Sequence, residues 1–255
     1  MSDKDRRDNE LPAHDFPWPK ELSQGLAPGL IWAVTVFFMF LMNWWYGVFS
    51  MAAMFIFFYS QRRTPVGQAR RNYVQGRLAY RKNNLQEALD YFLAALEIMP
   101  EASAIYPAVG DLYFQLDDVA KAKNAYQQYF QRVSEDDITR TWYIGKLMER
   151  NMFSEASQEF RKLSMKSRKN IQIGNLMAVC YLKTNRADEA VRVLEPGVRD
   201  TGTSEHELTS RYLLAKAYLQ SGKHTKAHEI LQRIQQDHPN FEDVPQLLHT
   251  IPQKK

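Results

Sequence analysis

Ala88, Ala122, Ala156, Ala190 and Ala227 stand 34, 34, 34 and 37 residues apart. Four residues after each comes a large apolar side chain: Phe92, Tyr126, Phe160, Leu194 and Leu231. Nine residues before the last four lie Tyr113, Leu147, Tyr181 and Tyr218, and in the first copy Ala79 beside Tyr80. Small residues, Gly76, Gly110, Ala178 and Ala215, precede four of the alanines by twelve. Turn formers separate the halves of each copy: Asn83-Asn84, Asp117-Asp118, Asn151, Asn185 and Gly222. Pro100 and Pro239 close the first copy and the last. A period of this size restricts the chain to a stack of like units, because one such unit cannot bury its apolar face alone.

The pattern resembles the tetratricopeptide repeat family over residues 69–241, in units 69–102, 103–136, 137–170, 171–207 and 208–241. The resemblance implies an all-α fold, an α-solenoid of five helix–turn–helix units. The physics agrees with that implication. Gly or Ala lets two helix backbones approach closely, aromatic residues fill the flanks, and Pro ends the second helix for want of an N–H. Three departures stand out. The third unit has Ile144 at the small position and no terminal Pro; the fourth gains three residues around "DTGTSEH", which predicts a longer loop at 200–206. The Trp usual early in the first helix is missing, with Tyr106 in its place in the second unit. Solenoid ends need caps. Phe241, Val244, Leu247, Leu248 and Ile251 are expected to supply one, leading into a C-terminal segment over 242–255.

The repeats follow a different kind of sequence. After a tail at 1–21 that is expected to be flexible, no Asp, Glu, Lys or Arg occurs between Glu21 and Arg62. This run is too long for a signal peptide and has no small-residue cleavage site after it. It is predicted to be a transmembrane anchor over 22–61, followed by a basic linker, "RRTPVGQ", at 62–68. Two topologies remain open. One straight helix would extend roughly 60 Å, against a hydrocarbon core of about 30 Å, so a single span must tilt. A hairpin divides the run more naturally, with arms Leu22–Met42 and Tyr46–Gln61 and a reversal at "NWWYG". Trp and Tyr favour the headgroup level, so Trp44, Trp45 and Tyr46 would lie at one face, and Trp18 and Trp32 towards the other. Arg62, Arg63, Arg70 and Arg71 flank the run on its C-terminal side. By the positive-inside rule, either topology puts residues 62–255 on the cytoplasmic side of the inner (plasma) membrane. The first 29 residues sum to −2 and the rest to +6. The basic stretch from Arg62 to Lys82 is expected to face anionic headgroups rather than nucleic acid.

The resemblance also implies an inner face built from the first helix of each pair. Its inward positions fall on Tyr73, Arg77, Tyr80 and Arg81, then Asp111, Phe114 and Gln115, then Trp142, Met148 and Glu149. The last two units add Asn175, Val179, Lys183, Tyr212 and Lys216. Such a surface is aromatic with mixed charge and suits a peptide anchored by apolar side chains. Exposed aromatics such as Tyr73 and Trp142 are its expected hot spots. The relatives that grip chaperone C-termini use Lys and Asn at five inward positions, held here by Tyr73, Arg77, Ala108, Ile138 and Trp142. No chaperone-tail binding is therefore expected.

Neither catalysis nor a cofactor is expected. His224 and His228 have helical i, i+4 spacing but no third metal ligand close in sequence. Cys180, the single cysteine, is expected to be a buried small apolar residue. The reading is a membrane-anchored scaffold that recruits a protein partner; the alternative is an accessory subunit of a membrane enzyme, secretion or envelope-biogenesis complex.

Overall fold

The computed structural model describes residues 18–23, 28–197 and 204–251. Every regular element among them is helical, and they cluster into two compact units, Met1–Ser134 and Glu135–Lys255. In the first, a 3-10 turn at Lys20–Ser23 precedes α1 (Pro28–Met42), α2 (Trp44–Arg63), α3 (Pro65–Arg81), α4 (Leu85–Ile98), α5 (Ile105–Gln115) and α6 (Val119–Arg132). The second holds α7 (Asp137–Glu149), α8 (Phe153–Phe160), α9 (Met165–Arg168), α10 (Ile171–Lys183) and α11 (Ala187–Leu194), then α12 (Glu205–Gln220), α13 (His224–Asp237) and α14 (Val244–Thr250). The tail before Trp18 and residues 198–203, which include positions 200–203 of the expected long loop, lie outside the described residues; the rest of that stretch is no loop, because Ser204 caps α12, which begins at Glu205.

The period in the sequence becomes a period in the backbone. Positive φ angles occur at Asn83 (61°), Asp117 (66°), Asn151 (57°), Asn185 (56°) and Gly222 (77°), in step with the alanines. The next N–H turns back each time to a carbonyl five residues earlier: Asn84 to Ala79, Asp118 to Tyr113, Met152 to Leu147, Arg186 to Tyr181 and Lys223 to Tyr218, all at 2.8–3.0 Å. A left-handed residue closed in this way satisfies carbonyls that the helix end leaves open. Asn, Asp and Gly reach that conformation at least cost.

Helix starts are set as locally. Thr64 accepts a hydrogen bond from the Gly67 N–H, with Pro65 at the first helical position of α3. Asp118 caps α6, Asp136 caps α7, Asn170 caps α10, and Ser204 forms a capping box with Glu207 on α12. Within the pairs all five alanines are fully buried. A Cβ added at Gly76 would lie 2.8 Å from the Phe92 ring, and one at Gly110 2.6 Å from Tyr126. The third pair buries Ile144 completely, and its second helix, α8, has only eight residues. At the C-terminal end Val244 is buried on α14, which packs against α13.

The uncharged run corrects the sequence-based expectation of a transmembrane anchor. Asn43 interrupts it, leaving α1 with 15 residues and α2 with 20. Among the described residues no helix is long and apolar enough to cross a membrane. The reason is physical: α1 rises only about 22 Å, short of the roughly 30 Å hydrocarbon core. The longer α2 gives its last turn to Ser60, Gln61, Arg62 and Arg63. The chain does fold back at "NWWYG". A Cβ at Gly47 would overlap the ring of Phe40, and the Arg70 Nε–H donates to the Leu22 carbonyl at 2.8 Å, which holds the two ends of the run together. The Asn43 Oδ1 accepts from the Trp45 N–H as α2 begins.

Candidate peptide-binding surfaces

In the first unit the inward positions of α3 and α5 separate into two layers. Tyr73 is not the exposed aromatic that the sequence predicts. It is fully buried, with Phe92 on one side at 5.5 Å between ring centroids and Trp18 edge-on at 5.4 Å. Burial pushes its hydroxyl up to about 12, against the pull of Arg77, whose guanidinium lies 6.0 Å from the ring. Asp111 and Phe114 are also buried, because Asp111 accepts a 2.5 Å hydrogen bond from the Tyr126 hydroxyl and Phe114 packs on the same ring. These three side chains hold helices together. Arg77 and Tyr80 are half-buried and Arg81 is exposed. Gln115 reaches across from α5 to donate to the Tyr80 hydroxyl at 3.3 Å.

The second unit carries a recess. Val179, Leu182 and Lys183 of α10, Leu213, Lys216, Leu219 and Gln220 of α12, and Leu247 of α14 line a cavity of about 530 Å³. Its floor is aliphatic and two ammonium groups stand in its wall. The Lys216 ammonium donates to the Tyr212 hydroxyl at 3.0 Å and lies 3.7 Å from the Asp243 carboxylate. Tyr212 in turn donates to Asp243 at 2.5 Å; burial and that carboxylate raise its pKa above the usual tyrosine range. Lys183 is exposed. Asn175, predicted as a contact residue, is buried instead: it accepts from Ser210 and donates to the His206 carbonyl, joining α10 to α12. Trp142 and Met148 are half-buried on α7, outside the recess lining, and Lys146 lies 4.8 Å over the Trp142 ring. Leu182, Leu213, Leu219, Gln220 and Leu247 of this lining were not among the expected inward positions. The signal for Leu213 and Leu219 is a Leu-x-x-Lys-x-x-Leu spacing, readable only once the face opposite the core is known.

The basic and aromatic residues assigned to a membrane interface divide as well. Trp44, Trp45 and Tyr46 are exposed at the hairpin tip, whereas Trp18 packs on Tyr73. Arg63 stacks over Tyr59 at 4.9 Å, Arg70 binds the Leu22 carbonyl, and Arg71 is exposed. The side chains of Trp32 and Arg62 lie outside the described residues.

Cys180 is fully buried and burial raises its thiol to about 12, so it is a core residue with no thiolate character at neutral pH. Among the described residues no group of three or more His, Cys, Asp and Glu side chains is placed to hold a metal ion.

Two tetratricopeptide repeat family models match the chain, over residues 67–108 and 209–240. The first covers the α3–α4 pair and its approach to α5; the second covers α12 and α13. This chain carries tetratricopeptide repeats. Similar folds among solved structures include YrrB, described as a TPR protein with an unusual peptide-binding site. It has 16% identity and a TM-score of 0.53, over 69% of this chain and 89% of that one. PilF of Pseudomonas aeruginosa has 18% identity and a TM-score of 0.45, over 66% and 76% of the two chains. A tetratricopeptide repeat protein from Parabacteroides merdae has 15% identity and a TM-score of 0.38, over 89% and 87%. No curated protein sequence matches. Among the described residues the first helices of the five pairs are α3, α5, α7, α10 and α12.

Proposed function

We propose that this chain is an interaction scaffold whose second unit takes an amphipathic, acidic peptide segment of a protein partner. The observation that carries the reading is the aliphatic recess walled by Lys183 and Lys216. Leucines at its floor would accept one or two apolar side chains, and the ammonium groups would meet a carboxylate at its edge. Apolar anchors supply affinity, while complementary charge fixes register and speeds encounter. YrrB, described as having a peptide-binding site on a similar fold, is consistent with a peptide ligand. Selection from a random peptide library against the full chain tests the idea. Enriched peptides should pair an aliphatic residue with Asp or Glu, and Leu219→Asp or Lys216→Glu should weaken them by roughly ten-fold or more. Selected peptides that bind both variants as tightly as the wild type would place the ligand elsewhere.

The α1–α2 hairpin favours a second contact, with lipid. Ile31, Val34, Phe37, Met39 and Phe40 are all exposed and fall on every side of α1 rather than in one stripe, and Trp44, Phe49, Met51 and Ile56 are exposed on α2. A helix that is apolar all round requires an apolar environment. Arg63, Arg71, Arg77 and Arg81 follow it on α2 and α3, with no acid before Glu87. That charge suits the anionic, cytoplasmic leaflet of the cell membrane. The hairpin would enter such a layer from one side and return to it, without crossing. Flotation with vesicles containing phosphatidylserine should carry the chain upward, and Phe37→Glu with Phe55→Glu should abolish this. A chain that stays at the bottom of the gradient with its wild-type hairpin would refute lipid contact.

A further inference from the structure

The inward face of α3 already holds a peptide, the protein's own residues Trp18–Ser23. Arg70, Tyr73 and Arg77 share that face at i, i+3 and i+7 spacing. Trp18 sets its ring edge against Tyr73 with planes at 85°. Four residues later Leu22 is fully buried, and its carbonyl accepts from the Arg70 Nε–H at 2.8 Å. The segment is closed as a 3-10 turn by the Leu22 N–H on the Pro19 carbonyl at 3.0 Å and the Ser23 hydroxyl on the Lys20 carbonyl at 2.6 Å. One aromatic anchor, one aliphatic anchor and one main-chain carbonyl gripped by an arginine are the means by which a groove reads a short peptide.

We infer that Trp18–Ser23 is an intramolecular ligand on the inner face of the first repeat, and that this face takes from a partner a turn-forming peptide with an aromatic residue and a leucine four positions apart. Two properties of the site sharpen the ligand class. The face reads side chains at both ends of one turn, so a longer helical ligand would need the same i, i+4 pair. α3 bears Arg70, Arg71, Arg77 and Arg81 and no acid, whereas the segment itself carries only Glu21 against Lys20. A more acidic peptide with the same two anchors would displace it. The site belongs wholly to the first unit and does not depend on the recess in the second.

The strap limits apparent affinity, because an outside peptide binds only the fraction of molecules in which the strap has left. The test uses the full chain and a fluorescein-labelled synthetic peptide of residues 15–24, followed by fluorescence anisotropy. The Trp18→Ala, Leu22→Ala double variant, with helicity checked by circular dichroism, should bind the probe roughly ten-fold tighter than the wild type. Adding Arg70→Gln to that variant should remove the gain. Equal affinity for wild type and double variant, or no binding to a double variant of full helicity, overturns the inference. Should the double variant lose helicity, the wild-type chain decides by hydrogen exchange. Saturating unlabelled peptide should speed exchange at the Leu22 amide while amides within α3 stay protected, and an unchanged Leu22 amide refutes displacement.

Discussion

At Gly110 the approach of two helices is set by a missing methyl group. The Tyr126 ring that faces it is fully buried and fixed by its hydrogen bond to Asp111. It has no room to yield. Gly110→Ala should therefore destabilise the first unit by about 1–3 kcal/mol, measured by urea denaturation. Gly174→Ala is the control, because its added Cβ would meet only Val193 at 3.9 Å. Inside α10 that change should be neutral or stabilising by up to about 1 kcal/mol. Asp137 offers a test by pH. Burial alone would raise its pKa, but hydrogen bonds from Ser164 and Ser167 hold the carboxyl below its usual range. A depressed folded-state value means that the carboxylate adds stability above its unfolded pKa and loses it as pH falls through the folded one. Asp137→Asn should melt lower than the wild type at neutral pH, and the gap should close in acid.

At the scale of elements, the turn signals decide where helices stop. Asn83, Asp117, Asn151, Asn185 and Gly222 were legible as turn formers, because left-handed closure is a local demand on residue type. What each helix then packs against is less local. Asn175 and Asp111 look like contact residues by position, yet both are buried as partners of neighbouring helices. Their role depends on a hydroxyl supplied 35 residues later in one case and 15 in the other. The C-terminal helix α14 serves as an end cap, with Val244 fully buried and Phe241 edge-on to Tyr212 at 5.6 Å. Val244→Ala should cost about 2 kcal/mol. Hydrogen exchange should locate the loss in α13 and α14 first, since a terminal repeat frays when its outer partner weakens.

For the whole molecule, the two compact units each have their own buried residues. In a stacked array stability is close to a sum of unit and nearest-neighbour terms. Gly110→Ala should thus lower amide protection most strongly in α5 and α6, and Val244→Ala most strongly near the C-terminal end. Uniform loss across all helices from either change would show that the chain unfolds as one block. The hairpin belongs to this scale too. Its composition alone pointed to a membrane-crossing anchor, but its two lengths, set by a single Asn, do not fit that role.

The sequence by itself determined the helical repeat, its period, the turns between helices and the glycines at their contacts. All of these follow from interactions within about 34 residues, so a local pattern is enough to specify them. Only the tertiary structure decided that Tyr73 is covered, that Leu22 is a core residue rather than the start of a span, and that Leu213, Leu219 and Leu247 share one recess. Those outcomes depend on which distant segment arrives at a given face. The Arg70 bond to the Leu22 carbonyl, 48 residues away in the chain, joins positions that no spacing rule connects.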